Sequence, residues 1–196
     1  MANVTIKPGF DRRIYTARAL IQDLAFLISS TFNIRRAFRD ENISRAFIEK
    51  IMTVITAVNG CVYCAWFHAR QALESGLSEA EVSNLLKLQF QADASDDEII
   101  ALLYAQHYAE SDRNPDPEMT RRLFEVYSQD TARHILLFIR MISFGNLYGN
   151  TWDAILSRFK GAPAPGSSLL FELVFFLLNF PVMLPASLII RNQKAG

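Results

Sequence analysis

Cysteine is scarce in this chain: 196 residues hold two. That number excludes a disulfide-rich secreted scaffold. Eight glycines and seven prolines, spread along the sequence, exclude collagen-like and Gly-linker compositions. Neither sign of charge is in excess, with 20 Lys+Arg against 20 Asp+Glu, which argues against a dedicated nucleic-acid binder. The opening stretch, MANVTIKPGFDRR, lacks the apolar core of a secretory signal, so a reducing cytoplasm is the expected compartment. No Walker-type loop, dinucleotide fingerprint or Gly-x-Ser-x-Gly elbow occurs.

Apolar side chains are abundant, at 51% of residues against 20% charged. A chain of this length and composition folds around a core of its own. Charge is segregated. Residues 1–50 carry nine basic and five acidic groups, residues 74–130 four and thirteen, and residues 131–196 six and two. These read as solvated helix faces or as complementary subunit patches.

Apolar positions recur at helical spacing nearly throughout, without strand-like alternation, so the fold is expected to be all-α. Helices are expected at about 11–29, with Ile14, Ala17, Leu20, Ile21, Leu24 and Leu27 inward, and at about 42–58, stopped by Asn59-Gly60. Another runs from about Cys61 to Gly76. Ser78/Glu81 and Ser95/Glu98 form capping boxes that open helices to about Phe90 and Glu110. Pro115 and Pro117 precede a helix starting near Glu118, and two more are expected at about 131–147 and 151–159. Gly161–Ser168 is the clearest break, dividing a body, 1–160, from an apolar extension, 161–196.

Within that extension, Leu169–Ile190 has Glu172 as its only charge. It is long enough to cross a bilayer. Pro181 and Pro185 instead favour two shorter helices, about 167–179 and 182–192. They would cover the body, a neighbouring subunit or a membrane surface, with Arg191 and Lys194 compatible with each.

Both cysteines fall in Asn59-Gly-Cys61-Val-Tyr63-Cys64-Ala-Trp66-Phe67-His68. Cys61, Cys64 and His68 stand at i, i+3 and i+7, on one helix face. The positive end of a helix dipole favours a thiolate at Cys61. His68, one turn beyond Cys64, can accept and return a proton near neutral pH. Four readings stand open: a redox dithiol, a zinc site recruiting His107 or His134, an inert packed pair, and a non-catalytic oxidation sensor. Glu49, on the preceding helix, either orients the thiol–imidazole pair or faces solvent beside Lys50. Trp66 and Phe67 pack around the motif or shape an apolar pocket. Arg12-Arg13 and Arg35-Arg36 read as surface or interface groups.

The pattern Glu49, eleven residues, Cys61-x-x-Cys64, three residues, His68 resembles the alkylhydroperoxidase D-like branch of the carboxymuconolactone decarboxylase superfamily. Ser44–Glu49, Val58–Cys64, Ala72–Val82, Ala101–Ala109 and Phe144–Asn150 extend the resemblance over about residues 35–160. It implies an all-helical fold and subunits assembled as trimers or hexamers. It also implies cofactor-free and metal-free reduction of a hydroperoxide, with an external dithiol as reductant. Cys64 would attack peroxide, Cys61 would resolve the product, and His68 and Glu49 would relay protons. Tyr63 stands where some members carry a further histidine, and Gly149-Asn150 where Asn-Arg is more usual. The implied alternatives are a non-enzymatic helical assembly with a redox-switch or structural Cys pair, and a decarboxylase acting on a small lactone acid, for which Arg70 would be the nearby cation.

Overall fold

A computed structural model describes residues 10–193, and the side chains within it up to Ile190. Among the described residues every regular element is a helix. They are α1 (Ala17–Ser29), α2 (Thr31–Ala37), α3 (Arg45–Asn59), α4 (Val62–Glu74), α5 (Glu79–Leu86), α6 (Asp96–Glu110), α7 (Pro117–Val126), α8 (Gln129–Phe159) and α9 (Leu169–Gln193). The all-α expectation holds, and Lys194 lies outside the described residues.

Local chemistry sets most of the boundaries. Ser44, Ser78 and Ser95 cap α3, α5 and α6 through their side chains, the last two in reciprocal capping boxes with Glu81 and Glu98, each satisfying N–H groups left without intrahelical partners. Pro117 opens α7, where its missing donor costs nothing. Gly60 ends α3 in the left-handed conformation, φ 67°, which a side chain would resist.

α3 is the central element. Phe47, Ile51, Val54 and Ile55 are buried along it, and it packs against α4, α5, α6 and α8. A second cluster joins Trp152 and Ile155 of α8 to Phe175 and Met183 of α9. There the Trp152 and Phe176 rings stack with centroids 5.2 Å apart.

Three expectations are corrected. The first helix begins at Ala17, and no residue of α1 is buried. Ile21 is 66% exposed and Leu24 40%, because α1 lies at the edge of the body and a separate short helix, α2, follows it. The expected helices 131–147 and 151–159 are one 31-residue helix, α8; Gly149 and Asn150 sit in its interior, held by packing on α3 and α4. The expected pair 167–179 and 182–192 is likewise one helix, with Pro181 and Pro185 inside it. Phe175, Met183 and Ile190 anchor it on both sides of the prolines, so burial outweighs the lost donors.

Candidate functional site

The turn between α3 and α4 delivers both sulfurs. Cys61 is the N-cap residue of α4, and its Sγ accepts the Cys64 N–H at 3.3 Å. Its side chain is fully buried, while Cys64 is half-buried one turn on. The sequence placed Cys61 in the first turn; the structure puts it one step earlier, where its sulfur does the work that serine or aspartate does elsewhere. Hydrogen bonds from the Cys64 side chain and from the backbone N–H groups of Cys64 and Tyr63 hold the Cys61 thiol below its ordinary range against the cost of burial, and the Arg12 guanidinium adds to this. The Cys64 thiol is pushed up, by its hydrogen bond to Cys61, by burial and by the charge of Cys61. Of the pair, Cys61 is therefore the thiol that ionises more readily, and Cys64 the one that holds its proton.

Glu49 faces inward. It is 8% exposed, and its Oε2 accepts the His68 Nδ1 proton at 2.8 Å. In the tautomer with its proton on Nδ1, Nε2 is the acceptor nitrogen. Glu49, Cys64 and His68 line one cavity of about 740 Å³. Ile48, Met52, Phe67, Met141 and Ile142 make its walls largely apolar. Phe67 is half exposed at its edge and meets the His68 ring edge-on. All four residues singled out from the sequence therefore converge, three of them on the cavity and Cys61 just behind it.

Tyr63 also lines the cavity, and its hydroxyl donates to Asp153 Oδ1 at 2.9 Å. Arg70 pairs with Glu74 at 3.0 Å and is exposed, away from the cavity lining. His107 Nε2 accepts the Asp116 N–H at 3.0 Å and His134 Nδ1 pairs with Asp40 at 2.7 Å, so both are occupied elsewhere.

Two contributors escaped the sequence reading. Arg12, read as a surface or interface group, straps the turn to α8. It donates to Gly60 O at 3.2 Å, to Asn150 Oδ1 at 3.3 Å and to Asp153 Oδ2 at 2.6 Å. Asn150 in turn donates to Asn59 O at 2.8 Å, which gives Asn150 a role that the sequence left unassigned. The second is Gly149. A Cβ there would lie 2.7 Å from Cys61 Sγ and 3.2 Å from Tyr63 Cδ2. No local signal marks either residue, because their contacts lie far along the chain, from Arg12 to Gly60 at the nearest.

Arg12→Met is expected to raise the Cys61 thiol toward its ordinary range, with Arg12→Lys in between. The depressed value keeps the thiolate present to lower pH, so removing the cation must shift the ultraviolet thiolate titration to higher pH. An unshifted titration would show that the guanidinium does not act on the sulfur.

Residues 31–107 match the model of the Carboxymuconolactone decarboxylase family. The segment contains Glu49, Cys61, Cys64 and His68, and over it the resemblance read from the sequence is borne out. No curated protein matches the chain.

Proposed function

We propose, starting from a carboxymuconolactone decarboxylase family match that spans the whole Glu49–His68 constellation, that this protein is a dithiol peroxidase acting on organic hydroperoxides. The superfamily holds both peroxidases and decarboxylases. What favours the peroxidase is one observation: Cys64, His68 and Glu49 line the same apolar cavity, with Cys61 in hydrogen-bond contact behind Cys64. A small anionic lactone would call for clustered cations. Arg45 is the cavity's one arginine, exposed and bonded to Gln71 at 2.7 Å.

The proton inventory sets the order of events. Cys64 rests protonated, so it must lose its proton to react, and His68 Nε2 is the acceptor one turn away. The Cys64 thiolate attacks the distal oxygen of the hydroperoxide and the O–O bond breaks. His68 returns the proton to the leaving alkoxide, and Cys64 is left as a sulfenic acid. The Cys61 thiolate then attacks the Cys64 sulfur. An S–S bond forms, and the departing hydroxide is protonated from solvent, which returns the proton that Cys61 released on ionising, so that water leaves. Two thiols are oxidised as one hydroperoxide becomes an alcohol and water. An external dithiol restores the pair by thiol–disulfide exchange.

The test is the intact mass of reduced protein treated with a stoichiometric organic hydroperoxide, after thiol blocking. The expected product has lost two hydrogens and both alkylatable thiols, has gained no oxygen, and turns over repeatedly when a dithiol is supplied. Two thiols still free after long exposure would overturn the reading.

A further inference from the structure

The polarity of α9 is inverted. Every exposed residue from 169 to 190 is Leu, Val, Ile, Phe or Pro. The polar residues of that stretch point the other way. Glu172 is 2% exposed and paired with Arg158, Asn179 is bonded to Tyr148, and Ser187 is buried. A helix on a water-soluble body turns its apolar stripe inward and its polar face to solvent. Here the outward face is apolar over about 30 Å of helix, including Leu170, Leu173, Leu177, Leu178, Val182 and Leu188.

Two occupants could cover such a face, a second copy or a lipid acyl layer. A subunit interface carries a polar rim and about one hydrogen bond per 100–200 Å². Among the described side chains, 169 to 190, the outward face of α9 has none able to donate or accept one. Polar groups turned to the protein and apolar groups turned outward is the arrangement that lipid selects.

Charge agrees. Apart from the Arg158–Glu172 pair, the sequence beyond Asp153 holds Lys160, Arg191 and Lys194 and no further acid. Lys160 is exposed just before the extension. Cations flanking an apolar face complement anionic headgroups. The inward side of α9 is occupied by α8 and α4, which leaves its outward face to meet a bilayer surface.

We propose that the outward face of α9 docks this protein onto an anionic lipid bilayer, with its leucines in the acyl layer and the flanking cations at the headgroups. Flotation of the full-length protein with vesicles tests this, using phosphatidylcholine alone and phosphatidylcholine with phosphatidylglycerol, alongside the Leu173→Glu/Leu177→Glu double variant. The wild type is expected to float with the vesicles, more completely with phosphatidylglycerol and less in high salt. The double variant is expected to partition at least about tenfold less, with unchanged helical circular dichroism and unchanged native mass. Both positions are exposed, so folding is preserved; Leu173→Gln/Leu177→Gln, which adds no charge, is expected to fall between. The proposal is overturned if the wild type stays unbound in both mixtures, or if the double variant floats as the wild type does. It is overturned equally if the substitutions lower the native mass of a lipid-free oligomer, which would assign the face to a second copy.

Discussion

His68→Ala is expected to slow the reaction of Cys64 with an organic hydroperoxide by about 10²- to 10⁴-fold, the range for loss of a positioned general base. Cys64 is held protonated by its neighbour and by burial, so the rate depends on what removes that proton. Without the imidazole, solvent must do it, and the deficit is expected to narrow as pH rises. Glu49→Gln is expected to lose about as much. The amide can turn an N–H toward Nδ1, which forces the ring proton onto Nε2 and removes the acceptor. Single-turnover thiol loss measured across pH decides the point. Rates in both variants equal to wild type would remove the relay from the mechanism, whereas a uniform, pH-independent loss would mark a structural role.

Gly149→Ala and Gly145→Ala are expected to move stability in opposite directions on the same helix. At 145 a Cβ meets nothing within 4 Å, and alanine gains up to about 1 kcal/mol over glycine in a helix interior. At 149 the same gain is opposed by a sulfur at 2.7 Å. Overpacking of that kind costs about 1–3 kcal/mol. The net effect is a lower denaturant midpoint, and the Cys61 sulfur is displaced from its cap. Disulfide formation in Gly149→Ala is therefore expected to slow even where the protein remains folded. Equal midpoints and equal oxidation rates in the two variants would show that the close approach of α8 to Cys61 is unimportant.

The legible part of this molecule was what short-range pattern encodes. Helical periodicity gave the class, Ser78/Glu81 and Ser95/Glu98 gave two boundaries, and Cys61, Cys64 and His68 at i, i+3 and i+7 gave one reactive face. The inward orientation of Glu49 was undetermined from spacing, because facing the hairpin or facing solvent depends on the angle between α3 and α4. Helix continuity was misread where local propensity opposed packing. Gly149 and Asn150, and then Pro181 and Pro185, look like breaks in isolation and are overridden by burial on both sides. α1 failed in the opposite sense: its apolar stripe has the right period, yet its contacts with α2 and α8 leave none of its residues fully buried. Arg12 and Gly149 stayed hidden for a third reason. Their contacts span 48 and 141 positions for Arg12 bonding Gly60 and Asp153, and no periodicity carries information over that range.

One detail of the α3–α4 turn reaches beyond structure. The Cys61 sulfur caps α4 at the positive end of its dipole, where ionisation of the reduced thiol is favoured. In the disulfide that the proposed reaction forms, the sulfur carries no charge and the first turn of α4 has no anionic partner. Reduction restores it, so the helix favours the dithiol over the disulfide. A charge at a helix N-terminus contributes about 0.3–2 kcal/mol. For a two-electron couple, where 30 mV corresponds to about 1.4 kcal/mol, this raises the midpoint potential by about 6–40 mV. The oxidised protein is thereby made easier to recycle, within reach of weaker physiological reductants than an uncapped pair would require.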